Sequence, residues 1–420
     1  MDGKLRDALM DLGIHPDCVD EKKLSQEISE HMLRGLRGIG GSMMMIPTYL
    51  FGSGTIVPDE PVAVIDAGGT NLRAATVVIH SSGAEVIEIK KSRMPGTDRQ
   101  ITAEEMYDEF VKRIMPMMPA SGRLALCFSF AFRSMPDGEA QIITMGKEIS
   151  IEDCEGSLIR EGMLRAFAKA GYKGDPKITV LNDTAAVLYS ALASGYNDAV
   201  GFILGTGMNT AYFEKTRAVP KIGPVLHDRV AINMESAYFS SPPCGMIDRK
   251  LDSASRNKGQ ALFEKMVSGA YLGEIACLSV IELAERGLMS DGTADRVRDT
   301  GALKLQHVTE LIERSSGPLA ELCACNEDIK TLRELFICIM RRSGKMTASL
   351  VAAVIRRICA DAEEKEVPVA VNGSTFLLNR TIREEFVKCL NELAGSDFGF
   401  KLISRDDDTL VGSAAAAFLG

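Results

Sequence analysis

Short apolar runs alternate with stretches of helical spacing through the first half of the chain, and helical spacing dominates the second half. Residues 1 to about 38 have the charged, amphipathic pattern of helix, ended by the breaker Gly38-Ile39-Gly40-Gly41. A connector containing glycine and proline, residues 52–61, leads to an apolar run at 62–65 that predicts a buried strand, and 74–79 predicts another. Thr102-Ala103-Glu104-Glu105 matches a capping box, in which threonine and glutamate satisfy each other's backbone N–H groups, and predicts a helix ending near Pro116. Strands are expected at 124–130, 140–144 and 178–181, with a helix over 157–171. Such interleaving is the signature of an α/β protein. Beyond Asp183 the pattern predicts helices at 184–195 and 259–288 and a long helical region between 303 and 362. Strands at 200–204 and 367–371 interrupt it, and an Ala-rich helix beginning at Thr409 closes the chain.

Composition narrows the class. At 420 residues, 46% hydrophobic and 25% charged, the chain is globular material too long for one typical core, which predicts two domains. A net charge of −9 argues against general binding to nucleic acid or a membrane surface, so any anionic ligand needs local donors. Ten cysteines without a Cys-x-x-Cys pair read as reduced, and five isolated histidines argue against a zinc site. The run Met43-Met44-Met45 reads as packing, because methionine fills irregular gaps and no other ligating residue type accompanies it. The charged opening Met1-Asp2-Gly3-Lys4 has no apolar signal core, and no apolar run reaches the roughly 18 residues of a membrane span. The expectation is a cytoplasmic protein.

Candidate chemistry starts at Val62-Ala63-Val64-Ile65-Asp66-Ala67-Gly68-Gly69-Thr70-Asn71-Leu72-Arg73. A strand delivers an acid into a glycine turn, where missing Cβ atoms open the backbone N–H groups to phosphate, Thr70 adds a hydroxyl and Asp66 suits Mg²⁺ or its water. A plain hairpin has the same glycines. The pattern recurs, however, at Leu204-Gly205-Thr206-Gly207-Met208-Asn209, and two such turns suit the two sides of a nucleotide's phosphates. Between them, Leu181-Asn182-Asp183-Thr184 places polar groups at the end of a buried strand, where open α/β sheets bind ligands. Asp183 has two possible roles, a helix N-cap or a general base for a hydroxyl that attacks phosphorus. Ser129, Lys147, Asn209, Asn233, Glu235 and Glu264 are polar residues in apolar settings. Amides and carboxylates of this kind match a polyol, whose hydroxyls each donate one bond and accept another.

Together with Pro47-Thr48-Tyr49, Phe128-Ser129-Phe130, Ile232-Asn233-Met234-Glu235 and the segment from Gly259-Gln260 through Met266-Val267-Ser268-Gly269-Ala270-Tyr271-Leu272-Gly273-Glu274, these motifs resemble the hexokinase/glucokinase family in order and content. The resemblance runs from about residue 40 to the C-terminus and is weakest over 288–367. It implies a two-lobed actin-like ATPase (ribonuclease H-like) fold with a duplicated βββαβα core and a cleft between lobes. The small lobe would be residues 60–182 plus 404–420, and the large lobe 1–59 plus 183–403. It also implies an ATP- and Mg²⁺-dependent kinase acting on the 6-hydroxyl of a hexose, D-glucose first, as a monomer or homodimer. Asp183 and Lys147 match the family's catalytic positions, and Ser129, Lys147, Asn182, Asp183, Asn209, Glu235 and Glu264 its sugar contacts. Asp66, Gly68, Gly69, Thr70, Asn71, Arg73, Gly205, Thr206, Gly207, Gly373, Ser374, Gly412 and Ser413 match its nucleotide side, with Asp66 holding Mg²⁺ through water.

The chain also departs from the family pattern. Gly146 replaces the threonine of a Thr-Lys pair, Ala131 a proline, Ala261 a glutamine, and Ser236-Ala237 a Trp-Gly. These changes touch sugar recognition more than catalysis and leave mannose, fructose or an amino sugar as alternative acceptors. A sensor that binds sugar without transferring phosphate is a third reading; retention of Asp66, Asp183 and both glycine turns argues against it.

Overall fold

The computed structural model describes residues 1–145, 149–360 and 365–419. The N-terminal segment forms two helices, α1 (Gly3–Leu12) and α2 (Glu21–Arg37), where one helical stretch is expected. The break is local: His15-Pro16 starts a short turn, and the Asp20 carboxylate accepts the Lys23 N–H to begin α2 afresh. After β1 (Ile46–Pro47) comes an antiparallel meander of β2 (Pro61–Ala67), β3 (Asn71–His80) and β4 (Gly83–Arg93). β4 has no counterpart in the sequence expectations, since its mostly exposed residues give it no buried stripe to read. β5 (Ile101–Thr102) enters α3 (Ala103–Ile114) through the expected capping box. β6 (Arg123–Phe128), β7 (Ala131–Ser134), β8 (Ala140–Thr144), β9 (Ile151–Glu152), α4 (Ile159–Lys169), β10 (Lys177–Leu181) and α5 (Asp183–Ala193) follow.

A second meander, β11 (Val200–Leu204), β12 (Met208–Lys215) and β13 (Arg229–Asn233), opens the other half. A helical block follows: α6 (Met246–Ala254), α7 (Leu262–Val267), α8 (Gly269–Glu285), α9 (Asp291–Thr300), α10 (Val308–Arg314), α11 (Pro318–Glu321) and α12 (Asn326–Cys359). The helix expected over 259–288 is thus two helices, separated by extended backbone at Ser268. The region expected between 303 and 362 is broken where Ser315 and Gly317 turn left-handed ahead of Pro318. The chain ends with β14 (Glu366–Asn372), α13 (Ser374–Leu378), α14 (Arg380–Ala394), β15 (Gly399–Ile403) and α15 (Asp408–Leu419).

Two sheets carry this order twice. One runs β4-β3-β2-β6-β10, the other β13-β12-β11-β14-β15 with β1 added beyond β13. In each, the meander pairs are antiparallel and the last two pairs parallel. This repeat is a duplicated βββαβαβα core, one strand–helix unit longer than the expected βββαβα. The helices that leave the two sheets exchange places: α5 follows β10 but packs on β11, β12 and β14, whereas α15 follows β15 but packs on β2, β3 and β6. They also pack on each other, and their apolar residues share one buried cluster with inner faces of both sheets. Among the described residues no helix is long and apolar enough to cross a membrane.

α5 approaches its neighbours closely. A Cβ on Gly412 of α15 would lie 1.7 Å from the Ala186 carbonyl oxygen, and one on Gly201 of β11 would lie 2.7 Å from the Leu188 nitrogen. Backbone atoms cannot rotate away as a side chain can, so Gly412→Ala should force α5 and α15 apart at a cost of about 1–3 kcal/mol. Urea unfolding measures this, and an unchanged midpoint would contradict the packing described.

Candidate active site

Asp66 stands near the end of β2, 5% exposed, where the near-continuous apolar strand meets the first glycine turn. The Gly68 N–H donates to the Asn71 carbonyl at 2.9 Å, and the Met94 N–H to the Thr70 carbonyl at 2.9 Å, which ties the turn to the end of β4. Gly69, Thr70 and Asn71 form its exposed outer side, with Asn71 Nδ2 donating to Thr70 Oγ1 at 3.2 Å. A Cβ on Gly69 would meet nothing within 4 Å, so the backbone there is open to an anion.

The second turn is braced from behind. The Gly205 N–H donates to the Gly207 carbonyl at 2.8 Å, and the Gly205 carbonyl accepts from the Gly269 N–H at 2.8 Å and Thr375 Oγ1 at 2.8 Å. The start of α8 and the first turn of α13 therefore fix its position. Gly373 and Ser374 lie against it: a Cβ on Gly205 would come within 3.4 Å of Gly373 Cα and 3.8 Å of Ser374 N.

Asp183 opens α5 but does not cap it. Asn182 is the cap, its Oδ1 accepting the Ala185 N–H at 2.9 Å, while Asp183 Oδ1 accepts from the Thr184 N–H at 2.7 Å and Thr184 Oγ1 at 3.2 Å. Asp183 lines a cavity of about 580 Å³ with Ser129, Asn182, Asn209, Glu235, Glu264 and the turn Gly205-Thr206-Gly207. Residues far apart in sequence are thereby brought into one site. Asn209 Nδ2 donates to Glu235 Oε1 at 3.1 Å and to Asn233 Oδ1 at 2.8 Å, and Asn233 Nδ2 donates to Glu235 Oε1 at 2.6 Å. Glu264 Oε2 accepts the Met208 N–H at 3.0 Å, and a Cβ on Gly207 would sit 2.8 Å from that oxygen. A side chain at position 207 would therefore displace the Glu264 carboxylate from this hydrogen bond. Glu235 and Ala261, the latter just ahead of the helix that carries Glu264, both hold left-handed backbone at φ 54° and 50°. Strain of this kind persists where the surrounding structure enforces it, commonly at functional sites.

The electrostatics follow from burial. Desolvation pushes the Asp183 carboxyl above its ordinary value; the Thr184 N–H and hydroxyl pull it back, and the nearby charge of Asp66 raises it further. Glu235 is raised first by burial and then by Asp183, against the lowering effect of Asn233 and Asn209. Burial likewise raises Glu264, with Glu235 adding to it and the Met208 N–H opposing. Cys127 lies near Asp66 and Asp183 on β6, its thiol held well above the usual range by burial and then by those two charges.

Asp66 itself is partnered. Arg73 Nη2 and Thr409 Oγ1 both donate to its Oδ2, the latter at 3.0 Å, and Arg73 Nη2 also donates to Thr409 Oγ1 at 2.7 Å. Lys147, expected at the sugar, and Gly146 lie outside the described residues. Gly412 and Ser413 are not brought to the cleft: both are buried, Gly412 against α5, and Ser413 Oγ donates to the Thr409 carbonyl at 2.5 Å. Their small size serves helix packing. Sequence reasoning did not single out Thr48 as a site residue, yet it lines the cavity and donates to the Ala231 carbonyl at 2.9 Å. Asn233, at the end of β13 and already named beside Glu235 as a polar residue in an apolar setting, also lines the cavity.

A duplicated α/β core, two glycine turns and a cleft lined by carboxylates and amides define a two-lobed, actin-like sugar-kinase fold. Family models described as hexokinase match residues 14–193 and 199–419. The chain belongs to the hexokinase family. It is 29% identical to human Hexokinase-3 over 411 residues, covering 89% of this chain and 43% of that protein. It is 23% identical to Hexokinase-1 of Schizosaccharomyces pombe over 428 residues, covering 94% and 87%. A hexokinase from Schistosoma mansoni complexed with glucose has the same fold, with a TM-score of 0.81 at 22% identity and 99% of each chain covered.

The raised Glu235 carboxyl has a consequence for stability. Its folded value exceeds the ordinary 4.5, so ionising it costs the folded state; that cost is absent below the unfolded value and complete above the folded one. Glu235→Gln keeps the accepting oxygen and removes the charge. It should raise the urea midpoint at pH 7.5 and leave it unchanged at pH 4, and equal midpoints at both would show that this carboxylate carries no burial cost.

Proposed function

We propose that the chain is an ATP-dependent hexose kinase that transfers the γ-phosphoryl group of ATP to the 6-hydroxyl of D-glucose. The observation that carries this is the single cavity in which Asp183 sits among Ser129, Asn182, Asn209, Glu235 and Glu264, beside Gly205-Thr206-Gly207. Asp183 takes the proton of the attacking hydroxyl as the oxygen–phosphorus bond forms, and its raised affinity for a proton makes it a better base than an ordinary aspartate. The amides and glutamates orient the sugar by pairing with its remaining hydroxyls. Glucose as ligand of the Schistosoma mansoni hexokinase supports that acceptor.

The phosphates of ATP fit the turn Gly68-Gly69-Thr70, open at Gly69, with Asn71 and Arg73 on one side, and Gly205, Thr206, Gly207, Gly373 and Ser374 on the other. Asp66 offers the hard oxygens that Mg²⁺ takes through water, in competition with Arg73 and Thr409. When bound, Mg²⁺ neutralises charge on the transferring phosphate. The lobes are residues 60–182 plus 404–420 and residues 1–59 plus 183–403, and their approach excludes water from the transfer. Mannose, fructose or an amino sugar is the second reading, favoured by Ala131 in the cavity wall where the family has proline.

Sugar-dependent ADP release, measured with Mg·ATP against glucose, mannose, fructose, glucosamine and N-acetylglucosamine, ranks the acceptors. Asp183→Ala should lower turnover by about 10²–10⁴-fold while glucose binding by calorimetry stays within a few-fold of the parent. Undiminished turnover would remove Asp183 from the role of base. In the parent enzyme kcat/KM for glucose should fall as pH drops through a midpoint above 3.8, because burial raises this carboxyl and the protonated form is inactive. A midpoint at or below 3.8 would contradict that assignment.

A further inference from the structure

Arg73 and Asp66 belong to one glycine turn, but a residue at the far end of the chain completes their geometry. Thr409 is the second residue of α15, 336 positions from Arg73 and 343 from Asp66. Its hydroxyl accepts from Arg73 Nη2 at 2.7 Å and donates to Asp66 Oδ2 at 3.0 Å, while Arg73 Nη2 also donates directly to that same oxygen. One hydroxyl has one proton and two lone pairs, so a single Thr409 rotamer closes this three-membered ring. The Asp66 side chain is 7% exposed and that of Arg73 28%, so the ring lies under the turn with only the guanidinium reaching solvent.

Thr409 is itself held. Arg405 pairs with Asp407 at 2.7 Å and donates to the Ala84 carbonyl of β4 at 3.0 Å, and the Arg405 N–H donates to Asp408 Oδ2 at 3.2 Å. The Thr409 carbonyl accepts from Ser413. The duplicated fold gives α5 an equivalent start, Asp183-Thr184 against Asp408-Thr409. There the threonine hydroxyl bonds its own neighbour, Asp183, at 3.2 Å; in α15 it reaches instead to the glycine turn of the sheet on which α15 packs.

We propose that Thr409 is a positioning residue for the nucleotide half of the site. It fixes Asp66 toward a hydrated divalent cation and Arg73 toward a phosphate, and it makes that geometry depend on how α15 is seated on the five-stranded sheet. The proposal rests on the reading of Asp66 and Arg73 as groups that meet Mg²⁺ and phosphate. Without the hydroxyl, Asp66 Oδ2 keeps the direct Arg73 contact but loses the Thr409 donor, Arg73 Nη2 loses the Thr409 acceptor, and the pair loses the side-chain anchor that orients it from α15.

Calorimetry with a non-hydrolysable ATP analogue plus Mg²⁺, at saturating glucose, tests it on Thr409→Val and Thr409→Ser. The valine variant keeps the β-branch and should lose about ten-fold in nucleotide affinity, the scale of one hydrogen bond to a charged group. Glucose affinity should not change, and Thr409→Ser should restore nucleotide affinity to within about two-fold of the parent on the same scale. Parental nucleotide affinity in Thr409→Val, or equal impairment in the serine variant, would overturn the proposal. If the valine variant does not fold, Thr409→Ala against Thr409→Ser makes the same comparison. Sugar-dependent turnover separates the two readings. Turnover present with nucleotide affinity unmoved in Thr409→Val overturns the role of Thr409 alone, whereas turnover absent with affinity lost in Thr409→Val supports that role and removes the kinase reading.

Discussion

Asp183, Glu235 and Glu264 line one cavity with the charge of Asp66 close to Asp183, and of these four carboxylates Asp66 is the one with a hydrogen bond from a cation among the described residues. Like charges in a poorly solvated space repel and raise one another's affinity for protons. The cleft manages this with neutral donors. Backbone N–H groups of Thr184 and Met208, the hydroxyls of Thr184 and Thr409, and the amides of Asn209 and Asn233 each give a hydrogen bond to one of the four. Much of the local structure follows: the missing side chain at Gly207 admits Glu264, and the left-handed backbone at Glu235 and Ala261 aims the two glutamates.

The duplicated topology supplies the rest of the electrostatic support. Each sheet ends by sending out a helix, and the exchange of α5 and α15 brings both helix starts close to Asp66. Helix N-termini carry partial positive charge, so the arrangement stabilises anions where the side chains supply few cations. The exchange is possible only because Gly201 and Gly412 let α5 come within backbone contact of β11 and α15. Packing deep in the fold and charge at its surface cleft are therefore set by the same pair of helices.

What was legible in the sequence follows from these constraints. The two glycine turns were visible because strand, acid or polar residue, and glycine fall in fixed local order. Glu235 and Glu264 stood out as polar residues in apolar settings, but only the ordered set of motifs placed them together, since no local pattern says that a glutamate on α7 will reach a turn more than fifty positions earlier. Of the two roles left open for Asp183 the N-cap falls away, because Asn182 takes it; both are good caps, and backbone direction decides between them. Helix breaks at Ser268 and at 315–317 escaped because one to three residues off the helical conformation barely disturb the apolar period. β4 escaped for the opposite reason: an edge strand that is mostly exposed, with only Ala84 and Val86 packed on the core, carries little periodic burial.

The same charge distribution argues for the kind of ligand each end of the cleft can take. At the end lined by Glu235, Glu264, Asn209 and Asn233, unfilled hydrogen-bonding capacity lies on carboxylate oxygens, which accept and cannot donate. A neutral polyol offers hydroxyl protons to these oxygens, while an anion would add to charges that burial already penalises. At the other end the exposed backbone of Gly69 and Thr70 and the guanidinium of Arg73 are donors, which favour phosphate. Asp183 lies where the two regimes meet, near Asp66 on one side and Glu235 on the other. Under the proposed function, a base at that boundary would take its hydroxyl from the acceptor-lined end and meet phosphorus from the donor-lined end, so the polarity gradient of the cleft would itself order the two substrates.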